Sequence, residues 1–131
     1  RLANVYNNKL KKNGLLKNLI DAVKKNKIIK INKMNSVKNY IHVLDMSRML
    51  ELILSNNFAG NTINVVHENI SNSRMLGIFE KIFQTRIKYK NLMKSFLNDP
   101  NIKLNTDLFF KKMNFKFNHT INSTLKKLYE K

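Results

Sequence analysis

The sequence predicts an α/β fold, and three observations carry that expectation. Short β-branched runs alternate with stretches of helical spacing along the whole chain, the pattern of strands joined by crossover helices rather than of a bundle. Apolar residues make up 43% of the 131 residues, enough to bury a core and too many for a disordered basic tail. No Gly/Ser-rich or Pro-rich linker interrupts the chain, so 1–131 reads as one unit.

Residues 2–6 are a short apolar run with a β-branched valine and read as a strand, followed by a polar, Lys-rich loop at 7–13. From Gly14 onward, Leu15, Leu16, Leu19, Ile20 and Val23 fall at helical spacing, and the pattern fades near Asn26. Ile28, Ile29 and Ile31 form a brief strand, 32–36 carries turn residues, and 40–44 is a second β-rich run. Asp45 is placed as the N-cap of the next helix, with Met46, Met49, Leu50, Ile53 and Leu54 on the buried face. Asn56, Asn57 and Gly60 end that helix, and 62–66 is expected to be the third strand. Ser71 caps a helix that turns Met75, Ile78, Phe79 and Ile82 inward. Residues 87–89 are weakly strand-like, and 90–101 reads as irregular around the only proline, Pro100. Asn105 or Thr106 is expected to cap a short helix through Leu108, Phe109 and Met113, with Asn114 as its left-handed C-cap. Thr120 opens a last helix whose inward residues are Ile121, Leu125 and Leu128.

Composition bounds the function. The 25 Lys and Arg against 8 Asp and Glu leave a net charge of +17, which invites a polyanion as partner. The positives are 21 Lys and only 4 Arg, beside 22 Asn and 13 Ile. Lys, Asn and Ile share A/T-rich codons, whereas Arg is the side chain that forks onto phosphate and guanine. Most of the charge is therefore read as compositional drift, and nucleic acid is not the expected partner. No apolar run approaches the ~18 residues of a membrane span, and the first residues do not have the layout of a signal peptide. A cytoplasmic location is expected. Without cysteine there is no disulfide framework, zinc knuckle or thiol nucleophile. The chain begins without Met and its first residues already read as strand, the pattern expected of a piece of something longer.

No catalytic or metal site emerges from the residues themselves. Gly14, Gly60 and Gly77 cannot make a glycine-rich phosphate loop of the dinucleotide or the Walker type. His42, His67 and His119 lie far apart in sequence, with no metal-ligand spacing. His42 sits in a strand and reads as structural, His119 as solvated, and His67-Glu68 follows a strand end. The Lys pairs at 11–12, 24–25, 111–112 and 126–127 fit solvated margins, and Phe109, Phe110, Phe115 and Phe117 fit core roles better than base stacking.

The order of segments resembles a known family. Arg1-Leu2-Ala3-Asn4-Val5-Tyr6 is similar to the R-x-x-N-V-Y-G segment of extended short-chain dehydrogenases/reductases, the NAD-dependent epimerases and dehydratases of nucleotide sugars. Val37-Lys38-Asn39-Tyr40-Ile41-His42-Val43-Leu44-Asp45 resembles their V-R-D-Y-I-H-V-x-D, and Asn61-Thr62-Ile63-Asn64-Val65 their Y-N-[IV] strand. Ser71 with its helix, Asn105-Thr106-Asp107, Met113-Asn114-Phe115 and Thr120-Ile121 follow in the family's order. The resemblance covers essentially all of the chain. It implies the C-terminal substrate lobe of a Rossmann-type enzyme, with the last strand and helix of the Rossmann sheet.

The resemblance also implies what is missing. The family's N-terminal half carries the glycine-rich NAD loop and a Tyr-x-x-x-Lys catalytic group. Tyr6, Tyr40, Tyr89 and Tyr129 are not followed by Lys at the required spacing. NAD or NADP would belong to the parent enzyme, none would be bound by this chain alone, and the chain alone is expected to be inactive. The implied partners are a nucleotide-sugar substrate, the absent N-terminal Rossmann half, and a second copy of the full enzyme as a homodimer. By the same carry-over, Asn4 lies beside the substrate diphosphate, Leu15 packs on the nucleotide, and Tyr40 lines the pocket. Lys38 stands where the family has a phosphate-binding arginine, keeping the charge without the bidentate fork. Lys94 falls near the place of a second such arginine. Asn7 replaces the glycine after N-V-Y, Asn39 replaces an aspartate, and Met34 and Asn35 stand where G-D-G is usual. Two other readings stand beside this one: a small basic module binding nucleic acid or an anionic surface, and a non-catalytic remnant of the family.

Overall fold

The computed structural model describes residues 1–8, 14–56, 62–91, 103–104, 106 and 112–129. Strand β1 (Asn4–Tyr6) runs parallel to β3 (Val37–His42), with Asn4 opposite Tyr40 and Tyr6 opposite His42. On its other side β3 pairs antiparallel with β4 (Glu68–Ser71), giving the sheet order β1-β3-β4. A second, two-stranded parallel sheet joins β2 (Ile29–Ile31) to β5 (Tyr89–Asn91). Because side chains alternate across a strand, Lys38, Tyr40 and His42 share one face of β3 while Ile41 lies on the other.

That alternation divides the interior in two. On the Tyr40 face, Tyr6, Tyr40 and Ile70 pack with helices α1 (Leu15–Lys25), α3 (Asn72–Phe83) and α4 (Ile121–Tyr129). Leu19, Met75, Phe79, Ile121 and Leu125 are at most 1% exposed there. On the opposite face, Ile41 packs with Met49 of α2 (Val43–Ser55), Val65 and Phe115. Each such fully buried apolar side chain contributes about 1.5–3 kcal/mol, so both clusters are needed to stabilise a sheet this small.

The helix signals act as the sequence suggests, with local corrections. Gly14 precedes α1 at φ 125° and ψ 167°, a region glycine alone enters without strain. Asn26 ends α1 in the left-handed conformation, and its N–H donates to the Ala22 carbonyl. Ser71 Oγ accepts the Arg74 amide at 3.2 Å, the expected cap of α3. Thr120 and Ser123 cap α4 reciprocally: Thr120 Oγ1 accepts the Ser123 amide and Ser123 Oγ accepts the Thr120 amide, both at 3.0 Å.

Asp45 is not a cap. Strand β3 starts earlier than expected and ends at His42, whose Nδ1 accepts the Leu44 amide at 3.3 Å and so caps α2 one turn before Asp45. Leu50 and Leu54 are not on the buried face of α2; Leu54 is 83% exposed. The strand expected at 62–66 reduces to a single parallel bridge between Leu2 and Val65, through Ala3 N to Val65 O (3.1 Å) and Val65 N to Arg1 O (2.8 Å). The ladder strand is β4, polar in sequence, which hydropathy could not flag. Strand β5 also lies two residues later than expected. Asn114 adopts the predicted left-handed conformation (φ 46°), while most of the short helix before it, 107–111, lies outside the described residues, as does the turn at Gly60.

Gln84 closes α3 in the left-handed conformation (φ 48°), where a Cβ is a liability. Replacing it with glycine is expected to raise stability by about 0.5–1 kcal/mol in urea unfolding. Leu54→Lys, at a position exposed in this chain by itself, is expected to change the stability of the chain alone by less than about 0.5 kcal/mol in the same assay.

Candidate functional site

A cleft of about 510 Å³ opens where β1, the first turn of α1, β3 and the start of α2 meet. Its volume lies within the roughly 300–1,000 Å³ range of small-ligand sites. Asn4, Leu15, Lys38 and Tyr40 all line it, four residues spread over 36 positions of sequence. The β1–β3 register explains the meeting: Asn4 is the direct cross-strand partner of Tyr40, and Lys38 is two residues along the same face. Lys94 lies outside the described residues.

Several polar contacts shape this cleft. Asn4 Nδ2 donates to the Asn39 carbonyl at 3.1 Å, which holds the side chain across the strand pair. Tyr40 is buried, and that burial pushes its hydroxyl pKa up to about 12, so it presents a neutral O–H at all ordinary pH. Tyr6, also lining the cleft, is raised further by burial and then by the nearby Glu68 carboxylate. The lining also includes Asn7 and Lys17, which sequence reading did not assign. Lys17 fell on the polar side of a helical stripe, where a lysine has no signal that separates it from a solvated face.

A second cluster lies behind the sheet end, built from the three histidines that sequence spacing kept apart. The His42 and His119 rings stack 4.2 Å apart at 14°, and the His67 ring stacks on Phe117 at 3.9 Å. His67 Nδ1–H donates to the His119 carbonyl (2.9 Å), which sets the tautomer. His119 is therefore packed rather than solvated. Between these rings and α2, the Asp45 carboxylate is fully buried and accepts the amides of Asn118 (3.2 Å) and His119 (2.9 Å). Arg48 reaches the same carboxylate at 3.1 Å and the Lys116 carbonyl at 3.2 Å, with its guanidinium 4.9 Å over the Phe115 ring. His119 Nδ1 stands 3.3 Å from Asp45, close enough for attraction but not aligned as a hydrogen bond. Burial acts to raise the Asp45 pKa, yet the Asn118 and His119 amides and the His119 ring outweigh it and hold the carboxyl below its ordinary range. Burial lowers the His42 pKa, and the neighbouring His119 lowers it further. Among the described residues no group of three or more His, Cys, Asp or Glu is arranged to hold a metal ion.

The arrangement matches solved structures. UDP-glucuronic acid 4-epimerase from Bacillus cereus, with UDP-glucuronic acid and NAD, superposes at a TM-score of 0.82 and 17% identity over 99% of this chain and 43% of that one. UDP-glucose 4-epimerase from Thermotoga maritima, with UDP-glucose, gives 0.74 and 17% over 99% and 43%. dTDP-glucose 4,6-dehydratase from Bacillus anthracis, in complex with NAD, gives 0.78 and 13% over 99% and 42%. The chain therefore spans less than half the length of the structures it matches. No family model and no curated protein matches its sequence. At these identities the likeness establishes the fold, that of the C-terminal part of Rossmann-type NAD-dependent epimerases and dehydratases, the extended short-chain dehydrogenase/reductase fold.

The histidine cluster sets a pH dependence. His42 binds a proton less readily in the native state than in the unfolded chain, so its contribution is complete above about pH 6.5 and is lost as pH falls through its depressed native value. Asp45 continues the decline in stronger acid, because its native value is also depressed. The urea midpoint is expected to be flat from pH 8 to about 7 and to fall below about 6.5. His42→Asn keeps an N-cap acceptor and should flatten the upper limb of that curve. Asp45→Ala, which leaves the Asn118 and His119 amides and Arg48 without their buried acceptor, is expected to cost about 3 kcal/mol.

Proposed function

We propose that this chain is the substrate-binding half of an NAD(P)-dependent nucleotide-sugar epimerase or dehydratase, and that its cleft holds the nucleotide diphosphate of the sugar substrate. The observation that carries the reading is the convergence of Asn4, Leu15, Lys38 and Tyr40 on one cleft. These are four of the five residues that the family resemblance assigns to the substrate, the fifth, Lys94, lying outside the described residues, and the solved structures of this fold include complexes with UDP-glucuronic acid and UDP-glucose.

The chemistry of the lining suits such a ligand. Lys38 supplies a cation for the diphosphate, Asn4 an amide donor beside it, and Tyr40 a neutral hydroxyl on a buried ring. Leu15 and Val43 add apolar surface for a base or ribose. The described residues offer no dinucleotide loop. Gly14 precedes α1 and Gly77 lies inside α3, so neither belongs to a glycine-rich strand-to-helix turn. NAD or NADP, and the hydride chemistry it supplies, are accordingly assigned to an N-terminal Rossmann half, and this chain alone is read as inactive.

That half would also cover part of the surface seen here. Leu44, Leu50 and Leu54 of α2 and Leu2 beside β1 are all exposed, more apolar side chain than a solvated helix face requires. No helix among the described residues is long and apolar enough to cross a membrane. A cytoplasmic location and a homodimer of the full enzyme complete the proposal.

The coding sequence upstream of Arg1 is expected to contain a glycine-rich βαβ unit and a Tyr-x-x-x-Lys; without them the enzymatic reading fails. In the polypeptide that joins this chain to that half, a saturating UDP- or dTDP-sugar at 100 times its Kd should stabilise the fold by about 2.7 kcal/mol, read as a rise in Tm. Lys38→Ala should reduce that rise. No rise in either protein would refute the assignment of the cleft.

A further inference from the structure

The cleft contains a second cation that the family resemblance does not assign. Its described lining includes two lysines, Lys38 from β3 and Lys17 from the first turn of α1, and no carboxylate. We infer that Lys17 is a second cationic ligand of the diphosphate, and that Asp21 is an internal counterion which the ligand's phosphate displaces. The inference rests on the reading of this cleft as the nucleotide-diphosphate site.

Charge number and geometry both favour it. A lysine is a compact point charge and cannot grip two phosphate oxygens as an arginine fork does. A diphosphate carries adjacent anionic groups, so two ammoniums delivered by separate elements can share it where one arginine would otherwise have forked. Lys17 is already held for such a role. Its Nζ donates to Asp21 Oδ1 one helical turn away, and both side chains keep about a third of their surface exposed. That hydrogen bond from Lys17 is the main cause of the lowered Asp21 pKa, so Asp21 is a charged counterion at neutral pH. Asp21 itself does not line the cleft, so displacing it costs no acceptor inside the site.

The test is calorimetric titration of UDP and UMP into the polypeptide carrying this chain with its N-terminal half, at low salt. Lys17→Gln is expected to weaken UDP binding by about tenfold and UMP binding by less, so the preference for the diphosphate shrinks. Lys17→Arg is expected to restore it. Asp21→Asn is expected to tighten UDP binding about two- to threefold, because the ammonium no longer has an internal partner. Unchanged UDP affinity in Lys17→Gln, with weakened affinity in Lys38→Gln, would overturn the role of Lys17 and leave the site reading standing. Weaker UDP binding in Asp21→Asn would overturn the displacement step. No binding of UDP, dTDP or GDP by the unaltered protein would overturn the site reading and this inference with it.

Discussion

The buried Asp45 carboxylate is the contact on which the two ends of the chain depend. It sits in the first turn of α2 and takes the amides of Asn118 and His119, more than 70 positions away, with Arg48 closing its remaining side. A buried charge of this kind is tolerated only when its oxygens are satisfied, and here each oxygen has a donor. The segment 115–119 carries no ladder to fix it, so this carboxylate and the stacked rings of His42, His67 and Phe117 locate it. Glu68 then accepts the Ile121 amide at 2.8 Å and delivers α4 to the Tyr6 side of the sheet. Two acidic side chains, from a protein with only eight, seat the whole C-terminal helix.

The cleft inherits its shape from that seating. Tyr6 and Tyr40 form a layer between the cleft and the core, with α3 and α4 packed beneath them. The exposed Asn4 and the partly exposed Lys38 stand above this layer at the positions that strand pairing assigns. A polar group at the rim of a packed floor needs little support of its own, and the Asn4 side chain is placed by its hydrogen bond to the Asn39 carbonyl. The resemblance to nucleotide-sugar enzymes and the physical reading of the cleft meet on the same residues for this reason: both depend on the β1–β3 register.

Much of this was legible in the sequence, though unevenly. Helix α1, the Ser71 cap of α3 and the left-handed Asn26 and Asn114 followed from periodicity and capping chemistry, both local. The errors share a cause in long-range satisfaction of polar groups. Asp45 has the composition and position of an N-cap, and only the distant amides reveal that it serves another segment. The three histidines were separated by sequence and joined by packing. Strand β4 reads Glu-Asn-Ile-Ser, with one apolar residue, so its identity comes from the edge of β3 that it covers and not from its own propensity. At the cleft, the ordered motifs pointed to Asn4, Leu15, Lys38 and Tyr40, which line one cleft. Lys17 was hidden because, among 21 lysines, residue type alone distinguishes nothing.

Strand β3 passes into helix α2 with no intervening loop: His42 is the last residue of one and the cap of the other. Ser71 plays the same double part between β4 and α3. Mechanically, each strand–helix pair is a bent rod with no free joint, and the β3–β4 ladder bolts the two rods together. Lys38 and Tyr40 ride on this frame and have no independent travel. The opposite wall is held as well, because Leu16 and Leu19 bury α1 in the same core, so the cleft has a preformed width.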